Sequence, residues 1–135
     1  MDGIDLRIDP FPSEAELADL WISAWGPDTA YQGVLERSLC HVAAYSGPKL
    51  VGFVNVAWDG GIHAFLLDTC VHPDFRRRGL AMRLVEAARD AARARGAKWL
   101  HVDFEPHLER LYFDACGFRP TLAGLIDLRP TGTDT

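Results

Sequence analysis

The chain has 135 residues, a formal net charge of −5, and 24% charged and 48% hydrophobic residues. That length supports one core rather than two, so a single domain over 1–135 is expected. The composition has no disorder signature, the acidic balance disfavours a general nucleic-acid binder, and no apolar run approaches the roughly 20 residues of a bilayer span.

The opening MDGIDLRIDPFP has no basic region followed by an apolar run, so no signal peptide is read and a cytoplasmic location is expected. IDLRI (4–8) alternates like a strand, and the prolines of DPFPS break it. Ser13 followed three residues later by Glu16 is a capping-box pattern, predicting a helix that runs to about Trp25 and stops at GPD. A second, shorter helix is expected over about Thr29 to Ser38.

Three strands follow, HVAAY (41–45), KLVGFVNVAW (49–58) and IHAFLLDTCV (62–71), separated by the turn formers SGP and DGG. From about Gly79 to Arg95, Leu84, Val85, Ala88, Ala91 and Ala92 form one apolar helical stripe. Gly96 ends that helix, and KWLHVDF (98–104) reads as a strand. Strand, helix and strand joined by a tight entry loop require a parallel crossover. A last helix (Pro106 to Cys116) and two short strands, near Phe118 and over 125–128, are expected to complete an α/β sandwich with a mixed sheet.

Cys40, Cys70 and Cys116 are widely spaced, with no CxxC pair and no histidine at zinc spacing. Reduced, buried thiols are expected, and no metal site is read.

The segment CVHPDFRRRGLAMRLV (70–85) concentrates positive charge in an acidic chain. A helix start carries unpaired N–H groups and partial positive charge, so it can receive an anion. Gly79 lets backbone approach closely, Ala81 is nearly as small, and Arg76, Arg77 and Arg78 surround them. A solvated basic turn is the competing reading, whereas the P-loop ending GK[ST] and the dinucleotide GxGxxG are both missing. Its position, after a strand and opening a helix, favours the anion site.

VHPDFRRRGLAMRLV resembles the signature segment of the GNAT superfamily of N-acetyltransferases, Arg/Gln-x-x-Gly-x-Gly/Ala. Arg76, Gly79 and Ala81 occupy its fixed positions, Val71 and Pro73 match the preceding Val-x-Pro, and CGFRP near 117 extends the likeness. The resemblance implies a mixed, mostly antiparallel sheet with helices on both faces and a splayed parallel strand pair. It implies acetyl-CoA as cosubstrate, its pyrophosphate cradled by Arg76, Arg77, Arg78, Gly79, Leu80, Ala81 and the N–H of Met82. It further implies that the strand ending at Val71 splays from strand 98–104 at a bulge, leaving backbone groups for the pantetheine arm.

Acetyl transfer needs a neutral amine, so a base or a water chain should remove its proton. Asp68 is a lone carboxylate in FLLDTCV, where burial would raise its pKa, and a turn-bonding role is the alternative. His101 and Asp103 alternate onto one face of the next strand, with Glu105 at its end; His101 reads as a base or as a core histidine. His72 is expected in a loop, and His41, His63 and His107 show no constellation. The family often supplies a tyrosine four residues before Gly-Phe to protonate the departing thiolate. Here that position is Phe113, which is counted with the cofactor contacts, and Tyr112 stands beside it. Neighbours on a helix point about 100° apart, so Tyr112 is not a simple replacement, and Leu108, Leu111, Tyr112 and Ala115 read as a core stripe. Trp21, Trp25 and Tyr31 lie where the family covers its acceptor, and they equally suit a core.

The resulting expectation is an acetyl-CoA-dependent N-acetyltransferase acting on a small amine or peptide amine by direct attack. No nucleic-acid or membrane partner is expected, and a homodimer is left open. The rival is a non-catalytic acyl-CoA-binding sensor or partner domain, favoured by the missing tyrosine.

Overall fold

The computed structural model describes residues 3–130. Five strands form one sheet in sequence order: β1 (Ile4–Ile8), β2 (Ser38–Ser46), β3 (Lys49–Trp58), β4 (His63–Val71) and β5 (Trp99–His101). The first four pair antiparallel, and β5 joins β4 in parallel. Helix α1 (Glu14–Trp25) packs on one face and α2 (Leu80–Ala94) on the other. The mixed, mostly antiparallel sheet with helices on both faces is therefore present.

Alternation along β2 divides the core in two. Val42 and Ala44 face α2, where Leu80, Leu84, Val85, Ala88 and Ala92 form the buried stripe. Ala43 and Tyr45 point the other way, with Phe53 and Cys70, onto Leu17, Leu20 and Trp21 of α1. Gly52 permits the close approach of α2: a Cβ there would lie 3.0 Å from a Leu84 methyl and 3.3 Å from the Ala44 Cβ.

The start of α1 is closed by its own residues. Ser13 Oγ accepts from Glu16 N–H, and the Glu16 carboxylate accepts from Ser13 N–H, completing the capping box. Buried His41 also has a structural role: its Nε2 accepts from Phe11 N–H, so its proton sits on Nδ1, 3.3 Å from Asp9. Burial holds His41 below its usual pKa and hence neutral. Asp9 pairs with Arg95, whose guanidinium also donates to the Leu39 carbonyl, tying the end of β1 to the last turn of α2.

Five expected elements differ. The helix over 29–38 is only a 3₁₀ turn, Val34–Arg37, because Asp28 and Gly33 adopt positive φ and interrupt helical backbone. The helix over 106–116 is a 3₁₀ turn, Pro106–Leu108, followed by a π-helix, Arg110–Ala115. Strand 98–104 pairs only over Trp99–His101, and the segments near Phe118 and 125–128 form no strand. In the π-turn Cys116 N–H donates to the Leu111 carbonyl five residues back. The wider turn buries Tyr112 and Cys116 and leaves Ala115 exposed, correcting the expected stripe.

All three cysteines are free and buried. Burial pushes the Cys40 thiol up to about 11 and raises Cys70 and Cys116 as well. All three thiols stay protonated at pH 8, so a thiol-specific reagent should label the folded chain far more slowly than the unfolded one. Fast labelling of the native protein would contradict this burial.

Candidate active site

The two helix starts contrast. Acidic residues and a capping box close the first turn of α1, whereas α2 has no side-chain cap and no acidic residue in its first turn. Its N-cap is Gly79 at φ 71°, and Arg77 is also left-handed at φ 64°. Alternating left-handed residues turn successive N–H groups toward one concavity, a nest for an anion. The first intrahelical bond runs from Arg83 N–H to the Gly79 carbonyl, so the N–H groups of Leu80, Ala81 and Met82 precede it without intrahelical partners. A Cβ at Gly79 would meet nothing within 4 Å, so the protein leaves this space open.

The residues of this loop divide by task. Arg77 and Arg78 are exposed, with the Arg78 guanidinium 5.1 Å from the Phe75 ring centre. Arg76 is bound instead of standing free at the rim: Nε donates to the Val71 carbonyl and Nη2 to the Ala24 carbonyl. It ties the loop to the ends of β4 and α1. The Leu80 side chain is buried in the core, so only its backbone can face an anion. The Val71 carbonyl is occupied by Arg76, which limits what Val71 offers a ligand.

β4 and β5 pair only at His63–Trp99, Ala64–Leu100 and Phe65–His101, and then separate. Beyond Phe65, β4 remains paired to β3 and its other edge has no strand partner among the described residues. The register shift between Phe53–Cys70 and Asn55–Leu67 sets two residues, Asp68 and Thr69, opposite Val54. At this bulge Asp68 has φ 60°, which aspartate tolerates better than most residues. Burial raises the Asp68 pKa above the ordinary carboxylate value.

Tyr112 reaches the same bulge. Its ring stacks on Phe104 at 4.5 Å, it is 5% exposed, and the Thr69 side chain is a polar neighbour of its hydroxyl. Burial raises its pKa above the usual phenol value, and neighbouring Thr69 opposes that shift, so the hydroxyl keeps its proton at neutral pH. Phe113 is half-buried and packs edge-on against Phe104 at 5.1 Å. Asp68, Thr69 and Tyr112 are thus gathered at the point where the two strands part.

His101 lies elsewhere. It pairs with Phe65, three residues before Asp68 and so roughly 10 Å along the strand. Its ring stacks on Phe65 at 4.9 Å, and its Nε2 is 2.8 Å from His63 Nδ1. A bond of that length needs a proton on one nitrogen and a lone pair on the other. His63, read from sequence as lacking a constellation, therefore has one. The two histidines are 38 positions apart, and only the parallel register joins them.

The aromatics divide as well. Trp21 is core, whereas Trp25 and Tyr31 are 44% and 64% exposed near the end of α1 that Arg76 grips. Among the described residues no helix is long and apolar enough to cross a membrane, and no group of three or more His, Cys, Asp or Glu is arranged to hold a metal ion.

Solved structures share this architecture. SA2161 of methicillin-resistant Staphylococcus aureus superposes with a TM-score of 0.78 at 19% identity, covering 94% of this chain and 99% of that one. A GNAT-family acetyltransferase, SP0256 of Streptococcus pneumoniae TIGR4, gives 0.76 at 20% identity, covering 93% and 98%. The aminoglycoside N-acetyltransferase AAC(6')-Iy, in complex with CoA, gives 0.70 at 23% identity, covering 95% of each chain. No match to the sequence is found among curated proteins. The sequence model of the acetyltransferase (GNAT) family matches residues 4–118, and with that match, the fold and the open start of α2, the chain belongs to the acetyltransferase (GNAT) family.

Proposed function

We propose that this protein is a cytoplasmic acetyl-CoA-dependent N-acetyltransferase that acetylates a small amine or peptide amine by direct attack in a ternary complex. One observation carries the reading: the uncapped, arginine-flanked start of α2 adjoins the unpaired edge of β4, and that edge leads to a half-buried carboxylate at the bulge. The residues fit the cosubstrate. Backbone N–H groups of Gly79 to Met82, with Arg77 and Arg78, suit a pyrophosphate; the free edge of β4 suits an amide-bearing arm.

Acetyl-CoA supplies a thioester carbonyl and a thiolate leaving group. Asp68 takes the proton that the acceptor ammonium must lose, and its raised pKa brings it nearer the working range of a general base. As the amine nitrogen bonds to the carbonyl carbon, the carbon–sulfur bond breaks, and the second proton that the nitrogen sheds passes through water to the departing thiolate. A thiol pKa of about 8.5 makes that leaving group stable enough to need little acid assistance. Tyr112→Phe should therefore lower kcat less than about tenfold; a loss beyond about a hundredfold, with stability unchanged, would make Tyr112 the acid.

Phe113 at the family's usual tyrosine position favours a second reading, a non-catalytic acyl-CoA sensor. Calorimetric titration with acetyl-CoA, run beside thiol release on a broad amine panel, separates the two. Binding with turnover supports the enzyme; binding without turnover on any amine supports the sensor.

A further inference from the structure

The sheet face that carries α1 is left partly open along β4. Ala64 and Leu66 are buried against α2, whereas Phe65 and Leu67 point the other way and are 38% and 39% exposed. The bulge brings the next residue onto the side of Leu67. The Asp68 carboxylate acts on the thiol of Cys70, in the core beneath α1, whereas Thr69 lies by Tyr112 on the α2 side. In β5 and the residues after it, Leu100, Val102 and Phe104 pack toward α2, which leaves His101, Asp103 and Glu105 exposed. Phe65 stacks on His101 with the ring planes 18° apart. An apolar floor, an aromatic pair and a carboxylate thus lie in one strip.

Charge along the strip is graded. The parallel register sets Phe65 beside His101, so Asp68 and the stretch Asp103 to Glu105 lie toward the same end. At the opposite end Lys98 precedes Trp99, and the Arg119 guanidinium is 5.7 Å from the Trp99 ring centre. Asp59, in the turn before β4, is engaged by the Gly61 N–H. One ammonium is therefore drawn to the acidic end, while a second cation further along would approach Lys98 and Arg119. Between the two ends, Leu67 and the Phe65–His101 stack offer apolar contact and aromatic edges and faces. A molecule with one positive end and an uncharged, flat body fits that gradient.

We propose that the acceptor is a monocationic arylalkyl amine, its ammonium at Asp68 and its ring over Leu67 against the Phe65–His101 stack. This narrows the acceptor class and rests on the acetyl-transfer reading given above. Strand residues advance about 3.3 Å each, so a ring centred on Leu67 and Phe65 is a short alkyl chain from the carboxylate. Phe65 and Leu67 are then specificity-determining residues: they touch the acceptor body and take no part in proton transfer. Polyamines and aminoglycosides carry several ammonium groups, and the aromatic floor gives the additional ones no counter-charge.

Thiol release at saturating acetyl-CoA, with phenethylamine, tryptamine, spermidine and kanamycin as acceptors, tests the proposal. The two aryl amines should exceed both polycations in kcat/KM by about 100-fold or more. Phe65→Ala should raise the KM for phenethylamine about tenfold and leave the KM for acetyl-CoA unchanged. Phe65→Glu adds a charge at the uncharged floor, so it should lower kcat/KM for phenethylamine at least about tenfold and raise that for spermidine. Equal or better turnover of either polycation by the parent would overturn the arylalkyl class and leave acetyl transfer standing, as would a phenethylamine KM unmoved by both variants. Turnover of no amine would count against the acetyl-transfer reading, and calorimetry of phenethylamine with the CoA-saturated protein then decides the site. Binding that Phe65→Ala weakens about tenfold keeps the aryl-amine site, and absence of binding removes it.

Discussion

Asp68→Asn is expected to lower kcat/KM by about 10²–10⁴-fold, the usual contribution of a general base, while leaving the fold intact. Asparagine is nearly isosteric and, like aspartate, tolerates the φ of 60° that the bulge imposes. Asp68→Ala instead adds left-handed strain of about 1–2 kcal/mol and would confound activity with stability. The stability change in the asparagine variant has a sign that follows from burial. The folded Asp68 pKa lies above its unfolded value, so the native chain binds that proton more tightly. The resulting stability is complete below the unfolded pKa of about 3.9 and is lost as pH rises through the raised folded value. At pH 7 the ionised carboxylate is therefore a cost, which the variant lacks. Denaturant titrations should find Asp68→Asn at least as stable as the parent at pH 7, with its advantage shrinking toward pH 4. Its acidic limb in the kcat/KM profile should disappear. His101→Gln provides the contrast: its pH profile should keep the limb, and a profile that loses the limb only in His101→Gln would transfer the base to the histidine pair.

Such a site is only partly visible in a sequence, and the division follows how local each signal is. The Ser13–Glu16 capping box, the stripe from Leu84 to Ala92 and the glycine–arginine turn before α2 are short-range patterns, and each appears where expected. The parallel return of β5 was legible from strand, helix and strand in succession. The π-turn was not, because Arg110–Ala115 has the composition of an ordinary helix and its extra residue per turn comes from packing. That turn directs the Tyr112 hydroxyl to Thr69, a contact no helical wheel suggests. The His63–His101 pair depends on register between strands far apart in the chain. The strand expected over 125–128 is apolar enough for one but has no partner among the described residues, and strand formation is a property of two segments.

Gly79→Glu should weaken acetyl-CoA binding by about 100-fold or more, the largest single loss of affinity expected from this loop. Strain and charge are the two contributions to that loss, and variants separate them. The substituted Cβ meets no protein atom within 4 Å, so no clash with the fold arises. The φ of 71° imposes left-handed strain on any side chain, about 1–2 kcal/mol, and Gly79→Ala measures this contribution alone. A carboxylate at the start of α2 interacts favourably with the helix dipole, by about 0.3–1 kcal/mol, so Gly79→Glu should be no less stable than Gly79→Ala. What remains is charge. A carboxylate about 5 Å from a phosphate, at an effective dielectric of about 20, costs about 3 kcal/mol, which is more than a hundredfold in affinity. Gly79→Lys carries the same strain with the opposite charge and should bind at least as tightly as Gly79→Ala. Raising the salt toward 1 M, where the screening length falls to about 3 Å, should narrow the gap between the glutamate and lysine variants. Calorimetry giving all three variants the parent's affinity would mean that the phosphates do not dock at this turn.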